Sequence, residues 1–277
     1  MLNVNDHSRD SAGMTYVYPV VSRRAGGVSI GINLNVNNAC NWACVYCQVP
    51  DLKRGGPPPV DLALLDSELR AFLHLATLRD YLQRNAPEGA RRLVDVAFSG
   101  NGEPTSSPEF SAALDCVERA LRDAGLLGSL TIRLITNGSL LHRPAVERAV
   151  GRIGELGGEV WFKVDAATAA GMARINRVQA SPQKVAAALE RCARRAPTWV
   201  QTCCFAYDGE AMNDAEWSAY LDFIAAHAAI IKGVHLYGLA RPSMQPDASR
   251  LSNLSADTFA RLARSVSSLG VEVLAKP

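Results

Sequence analysis

Residues 27–47 read GVSIGINLNVNNACNWACVYC. In the first ten, Ile32 and its apolar alternates fall on one side of an extended chain, and Asn33 and its polar alternates fall on the other. This alternation predicts a strand over 27–36 with one polar face. Three cysteines, Cys40, Cys44 and Cys47, follow within eight residues. The sequence therefore predicts a loop of clustered thiols just beyond the first strand.

Downstream, strand-like and helix-like segments alternate along the rest of the chain. Apolar runs predict strands, and apolar spacing of three and four residues predicts helices. The predicted strands are 27–36, 93–98, 130–135, 160–164, 198–205 and 234–239, with a last one at 271–274. The predicted helices are 61–82, 109–124, 144–156, 181–195, 213–229 and 255–269. Six strand–helix units in a row favour parallel strands with helices outside.

A doubly wound open sheet and an incomplete barrel both agree with six units, and strand polarity favours the barrel. Strands covered by helices on both faces are continuously apolar. Here Lys163 and Asp165 share one face of a strand, and His235, Tyr237 and Arg241 share one face of another. A polar inner face suits strands around a ligand-filled lumen. We predict an α/β fold, a partial (β/α)6 TIM-type barrel, as a single domain over 27–277 after an N-terminal extension, 1–26.

Composition agrees with a globular, cytoplasmic protein. Apolar residues make up 48% of the 277, charged residues 20%, and the formal net charge is +2, too small to indicate nucleic-acid binding. No apolar run reaches the ~18 residues of a membrane span. Residues 1–13 are polar, unlike a signal peptide, and are expected to form a mobile tail. Seven cysteines, an odd number, argue against a disulfide framework.

The spacing Cys-x3-Cys-x2-Cys is that of a metal centre. Thiolates so close in sequence can wrap one cluster, and three of them leave one iron of a cubane open to a small molecule. The alternative is structural zinc, which requires a fourth ligand. The nearest histidine in the sequence is His74.

This cysteine motif, with Tyr46 before its last cysteine, resembles the signature of the radical S-adenosylmethionine (radical SAM) superfamily. The resemblance implies a single [4Fe-4S] cluster held by Cys40, Cys44 and Cys47, whose open iron chelates S-adenosyl-L-methionine. It also implies an oxidoreductase in which reductive cleavage gives a 5'-deoxyadenosyl radical that abstracts hydrogen from substrate. An external one-electron reductant of flavodoxin or ferredoxin type is the implied partner.

Other segments resemble the superfamily in the same order along the chain. Ser99-Gly-Asn-Gly-Glu-Pro104 is similar to its Gly-Gly-Glu motif, with Asn101 as a departure, and Thr136-Asn-Gly-Ser139 to a segment near the nucleoside. Lys163-Val-Asp165 ends the fourth strand, where the superfamily often has polar residues for the cofactor's carboxylate and ribose. The cofactor-binding residues implied are Tyr46, Gly100, Asn101, Gly102, Glu103, Thr136, Asn137, Lys163 and Asp165.

The lead-in from Tyr18 to Asn33 and the pair Cys47-Gln48 resemble the Fe–S oxidoreductases grouped with wyosine-type tRNA-modifying enzymes and radical-activating enzymes. Wyosine synthases carry a second cysteine set upstream, and no cysteine precedes Cys40 here. We expect a small-molecule or peptide substrate. The alternatives are a tRNA-modifying radical SAM enzyme and a non-catalytic Fe–S protein.

The substrate is expected to meet the sixth strand. His235, Tyr237 and Arg241 are the candidate catalytic residues, and an arginine there favours an anionic substrate. Cys203 and Cys204 are neighbours on a strand, so their side chains point to opposite faces. Small buried side chains are the default for both, and the roles of Arg23 and Arg24 stay open.

Overall fold

The structure, a computed structural model, describes residues 12–22 and 25–277 of the chain. Its centre is an eight-stranded sheet whose strands follow one another in chain order. The first pair is antiparallel, and every later neighbouring pair is parallel. The strands are β1 (Val17–Ser22), β2 (Gly27–Asn33), β3 (Leu93–Ser99), β4 (Thr131–Thr136), β5 (Glu159–Lys163), β6 (Thr198–Cys203), β7 (Gly233–Tyr237) and β8 (Glu272–Lys276).

Helices connect the parallel strands and cover one face of the sheet. The helix α3, for example, buries an apolar stripe of Phe110, Leu114, Val117 and Leu121. The helices are α1 (Leu62–Leu73), α2 (Leu75–Asn85), α3 (Phe110–Asp123), α4 (Pro144–Glu155), α5 (Ala169–Ile175), α6 (Pro182–Ala193), α7 (Asp214–His227) and α8 (Ala256–Ser267). No helix among the described residues is long and apolar enough to cross a membrane.

The predicted partial barrel is confirmed. One set of strand residues, such as Ile32, Phe98 and Phe162, is fully buried in the core with the helices. The alternate set, including Asp95 and Lys163, lines an interior cavity. In the described chain no ladder joins β8 to β1, so the barrel stays open there. The lumen wall therefore carries the charged and polar strand residues that were predicted to face inward, among apolar ones such as Ile135 and Trp161.

The N-terminal extension contributes a strand that the sequence did not predict. Strand β1 pairs with β2 from Val17 opposite Ile32 to Ser22 opposite Gly27. Gly31 makes this pairing possible, because a Cβ at that position would lie 2.1 Å from the Tyr18 ring. Most of the expected mobile tail (residues 1–11), together with Arg23 and Arg24, lies outside the described residues.

Several predicted boundaries are wrong. Strand β2 ends at Asn33 instead of residue 36, because the Asn33 side chain accepts a hydrogen bond from the Asn35 backbone N–H and turns the chain. The predicted helix 61–82 is two helices that meet at His74, whose ψ of 123° is not helical. No glycine or proline in the sequence marks this break. The change of direction at His74 lets Tyr81 pack edge-on against Phe72, with ring centroids 5.2 Å apart.

Candidate active site

Two cavities occupy the lumen at the carboxyl ends of the strands. The first measures about 260 Å³ and is lined by all three clustered cysteines, by residues that follow β3 and β4, and by Trp161 and Lys163 of β5. The second is of the same volume and lies toward β6 and β7. They share wall residues, Tyr46, Cys47, Gly100 and Lys163 among them, so the two cavities are adjacent.

The cysteine loop is anchored at both of its ends by backbone contacts. The short strand Ala39–Cys40 pairs with Lys53–Arg54. Farther along, the Val45 N–H donates to the Ile175 carbonyl at 2.8 Å, and the Met244 N–H donates to the Cys47 carbonyl at 2.9 Å. All three thiols are free and half-buried. The loop thus presents its thiols to the first cavity on a fixed backbone.

The donor set suits a cluster. Burial raises the pKa of Cys40 to about 11 and that of Cys44 to about 12, so both are protonated thiols at neutral pH. Metal binding would therefore release protons. Across residues 12–22 and 25–277, no three His, Cys, Asp or Glu side chains converge on a point that could hold a single ion. The thiolates of a cubane bind different irons and need no such convergence.

Glu103 connects its own loop, after β3, to the segment at the end of β4. Its carboxylate accepts hydrogen bonds from the Thr136 hydroxyl at 2.6 Å and from the Asn137 backbone N–H at 2.7 Å. The Thr105 hydroxyl donates a further bond at 2.6 Å. Burial raises the pKa of the Glu103 carboxyl, although these donors oppose the shift. The structure therefore brings the Gly-Asn-Gly-Glu and Thr-Asn-Gly-Ser segments together.

The two motif glycines are required for packing between loops. A Cβ at Gly102 would lie 2.2 Å from the Ala39 carbonyl oxygen, and one at Gly100, whose φ is +122°, would lie 2.5 Å from Asn33 Oδ1. Asn101 lines the first cavity, donates to Asn38 Oδ1 at 2.7 Å, and has a buried Oδ1 without a partner. That oxygen is an acceptor available to a ligand.

Asn41, inside the cysteine motif, ties the cysteine loop to the segment after β4. The Asn137 amide donates to Asn41 Oδ1, and the Asn41 amide donates to Ser139 Oγ, both at 2.8 Å. The sequence did not single out Asn41. Its position between two cysteines was the one signal in the sequence for this role, because its partners Asn137 and Ser139 lie almost one hundred residues away.

Tyr46, Lys163 and Asp165 form a chain of hydrogen bonds under the cysteines. Lys163 Nζ donates to the Tyr46 hydroxyl at 2.6 Å, which donates to Asp165 Oδ2 at 2.5 Å. Burial and the Asp165 carboxylate raise the pKa of Tyr46 well above its usual value, so the phenol stays a donor. Burial opposes the charge on Lys163, but Asp165, 3.8 Å away, raises the pKa of the amine.

Asp165, predicted as a cofactor-binding residue, is absent from the walls of both cavities. Its side chain is fully enclosed, and it also accepts hydrogen bonds from the Asn176 amide and the Cys203 backbone N–H. The same Asn176 amide donates to Cys44 Sγ at 3.2 Å. Asp165 therefore positions Tyr46, Lys163 and Asn176. No local motif marks Asn176, which sequence reasoning missed.

The three expected substrate residues occupy different surroundings. Tyr237 and Arg241 line the second cavity, whereas His235 is absent from both walls. The His235 ring packs between Trp161 and Trp199, with centroids 4.6 and 4.7 Å away. Arg241 lies beyond the end of β7, so strand alternation does not determine which way its side chain points. Its guanidinium donates to Gln48 Oε1 at 3.1 Å.

The remaining cysteines are buried. Cys116 and Cys192 lie in the hydrophobic core on α3 and α6, as expected. Cys203 lines the second cavity, and Cys203 and Cys204 both border a small apolar cavity behind β6. Burial raises the pKa of Cys204 to about 12.

This sequence matches a protein-family model and, over a shorter stretch, the sequence of a known protein. The family model described as the radical SAM superfamily matches residues 34–224, so the match ends before β7. A protein named GTPase Obg from Brachyspira hyodysenteriae (strain ATCC 49526 / WA1) is 25% identical over 125 residues. That alignment covers 45% of this chain, and the chain spans only 16% of the length of this curated relative.

Two solved structures show distant likeness. A structure of tagged anSMEcpe with bound AdoMet is 16% identical with a TM-score of 0.46, over 76% of this chain and 52% of that one. The cobalamin-dependent S-adenosylmethionine radical enzyme OxsB is 13% identical with a TM-score of 0.46, over 73% of this chain and 27% of that one. The assignment rests on the family model, which covers well over half of the sequence and includes all three clustered cysteines. The chain therefore belongs to the radical SAM superfamily of enzymes.

Proposed function

We propose that this chain cleaves S-adenosylmethionine reductively at a single [4Fe-4S] cluster and abstracts hydrogen from a small-molecule or peptide substrate. One observation carries the proposal. Cys40, Cys44 and Cys47 line the same cavity as Glu103, in the loop after β3, and Lys163, the last residue of β5. A protein that only carried electrons would not need these charged side chains in a pocket beside its cluster.

The role of the chain's own residues is to bind the cluster and the cofactor and to orient them. Cys40, Cys44 and Cys47 would hold three irons, and the fourth would be open to the cofactor. When bound, the reduced cluster and S-adenosylmethionine supply the 5'-deoxyadenosyl radical. The segment from Gly100 to Glu103, with Thr136 and Asn137, forms the adjacent wall, and Lys163 projects into the same space with Tyr46.

Substrate is assigned to the second cavity. Tyr237 and Arg241 line it next to Cys47, and the Gln48 contact holds the guanidinium at its mouth. A guanidinium can bind a carboxylate or phosphate with two parallel hydrogen bonds, so an anionic group on the substrate is favoured. His235 is no longer a catalytic candidate, since the two tryptophans cover it. An external one-electron reductant and a cytoplasmic location complete the proposal.

Anaerobic reconstitution tests this function. The reduced protein should convert S-adenosylmethionine to 5'-deoxyadenosine and methionine, slowly without substrate, as measured by chromatography. Cys44→Ala should abolish product, and Cys116→Ala, which changes a core thiol on α3, should not. Absence of 5'-deoxyadenosine with every reductant tried, from protein that holds its cluster, would contradict the proposal and favour an electron carrier.

A further inference from the structure

A hydrogen bond from the Asn176 side chain reaches one of the clustered thiols directly. The amide nitrogen of Asn176 lies 3.2 Å from Cys44 Sγ and 2.7 Å from Asp165 Oδ2. An asparagine amide has two N–H donors, so each acceptor can receive one proton. Asn176 is 1% exposed, and water therefore does not compete with the sulfur for this donor.

The backbone around Asn176 holds this amide against the cysteine loop. Asn176 is the residue at which α5 ends. Its carbonyl accepts a hydrogen bond from the Ala43 N–H at 3.2 Å, and the carbonyl of Ile175 accepts one from the Val45 N–H. Ala43 and Val45 are the two neighbours of Cys44 in the chain. The end of α5 is thus bonded to the loop on both sides of the thiol that the amide contacts.

The charged groups near Cys44 offset each other. Lys163 Nζ and Asp165 Oδ2 lie 3.8 Å apart, one positive and one negative, and both act on the Cys44 thiol. The Asn176 amide is an uncharged donor in addition to this pair. Because Asp165 accepts its second proton, the amide is also polarised, and hydrogen bonds in such a chain strengthen one another.

A hydrogen-bond donor at a cysteine sulfur affects the redox chemistry of a cluster bound there. Hydrogen bonds to the sulfurs are among the factors that set the reduction potential of an iron–sulfur cluster. Reduction adds one negative charge, which the sulfur ligands share, so an N–H donor stabilises the reduced form more than the oxidised form. A donor at Cys44 therefore makes the cluster easier to reduce.

We propose that Asn176 raises the reduction potential of the cluster through its hydrogen bond to Cys44. Asn176 is absent from the walls of both lumen cavities, so it acts through Cys44 and not by contact with cofactor or substrate. The inference rests on the proposed function in assigning a cluster to the three clustered cysteines. It adds a residue that controls how readily the external one-electron reductant delivers its electron.

Redox titration of the reconstituted holoenzyme without S-adenosylmethionine, followed by electron paramagnetic resonance, tests the proposal. Asn176→Leu removes the donor and keeps much of the side-chain volume, and Asn176→Ala removes the amide outright. In both variants the equilibrium constant for reduction of the cluster should fall about tenfold, which is a shift of about 59 mV to more negative potential for one electron. Ser243→Ala is the matched control, since that hydroxyl donates to the Val45 and Cys47 carbonyls of the same loop. It should keep the parent potential.

A second measurement does not depend on the variants. In parent protein whose asparagine side-chain amides carry the heavy nitrogen isotope, the reduced cluster should show coupling to that nitrogen in electron spin-echo envelope modulation. The bond from Asn176 to Cys44 Sγ supplies the path for this coupling. The amide of Asn41, inside the cysteine motif, donates to Ser139 Oγ instead.

The outcomes separate a redox role from a structural one. The parent potential in an Asn176 variant that holds its cluster would overturn the proposal, and so would an equal shift in Ser243→Ala. If neither Asn176 variant binds a cluster, the nitrogen coupling in the parent protein decides, and its absence overturns the proposal. A shifted potential in protein that never forms 5'-deoxyadenosine would uphold the role of Asn176 and refute the proposed function.

Discussion

Two walls of the same lumen are built in different ways. The cofactor wall comprises the loops after β2, β3, β4 and β5, and the far wall comprises the loops after β6 and β7. On the cofactor wall, side chains bond to side chains or backbone of neighbouring loops, as Glu103 does with Thr136 and Asn137. On the far wall, Ser243 and Gln245 bond to carbonyl groups of the cysteine loop, at 2.7 Å to Val45 and 2.8 Å to Val49.

The difference explains which wall has a recognisable motif. A side chain that must satisfy two partners on other strands can be replaced by few residue types, so the cofactor wall carries motifs. A bond to a backbone carbonyl needs only some donor at that place. The far wall can therefore vary with substrate while it still clamps the cysteine loop.

Loss of a clustered cysteine should have the largest effect. Cys40→Ala, Cys44→Ala or Cys47→Ala should abolish binding of about four irons per chain, because only these thiols share one loop at cluster spacing. Iron analysis and electron paramagnetic resonance measure the loss. Changes at Cys116, Cys192, Cys203 or Cys204 should leave the cluster intact. Full loss in a folded Cys203→Ala or Cys204→Ala protein would show that the far wall holds the metal as well.

Removal of Asp165 should destabilise the cofactor wall strongly. Asp165→Ala leaves Lys163 without its carboxylate and strips an acceptor from Tyr46 and Asn176. We expect a loss of about 3–5 kcal/mol in the free energy of unfolding, by urea titration without metal. Asp208→Ala removes an exposed partner of Arg250 and should cost far less, since water replaces that pair. Similar losses in both variants would contradict the contrast.

A matched pair of glycines separates packing from backbone strain. Gly138 and Gly157 have φ of +71° and +72°, but a Cβ at Gly138 would lie 2.1 Å from the Phe162 ring, whereas Gly157 faces open space. Gly157→Ala should cost about 1–2 kcal/mol for the left-handed backbone alone. Gly138→Ala should cost more, in urea titrations of both proteins. Equal costs would mean that the segment after β4 shifts enough to relieve the contact between the added methyl group and the Phe162 ring.

Lys163 should contribute directly to cofactor affinity. Lys163→Ala is expected to weaken S-adenosylmethionine binding by about 1–3 kcal/mol, the scale of a lost charge-assisted hydrogen bond. Calorimetry on reconstituted protein measures it, with Lys184→Ala, at an exposed position of α6, as the control. Unchanged affinity would remove Lys163 from the cofactor site.

Arg241 should show the smallest effect on the cofactor. Arg241→Lys retains the charge and loses the planar fork. Its affinity for S-adenosylmethionine should stay within about twofold of the parent value, a difference of about 0.4 kcal/mol. A decrease as large as that of Lys163→Ala would assign Arg241 to the cofactor wall.

Local residue patterns were sufficient to predict the fold, and the resemblance to the radical SAM superfamily supplied the candidate residues of the cofactor wall. The strand–helix alternation and the polar strand faces indicated the partial barrel, and the motif segments do meet around one cavity. Boundaries were less predictable where a side chain redirected the backbone, as Asn33 does at the end of β2. The split at His74 depends on packing between Phe72 and Tyr81, which no propensity encodes.

The sequence by itself determined the cysteine spacing, the barrel class and the order of the cofactor motifs, because each depends on residues close together in the chain. Only the tertiary structure decided which polar residues face the lumen and which are covered. It enclosed Asp165 beneath Tyr46, placed His235 between two tryptophans, and brought Asp95 to Arg133. These contacts join different strands, and their burial depends on side chains far away in sequence. A strand's alternation shows which way a residue points, but the neighbouring strands decide what it meets there.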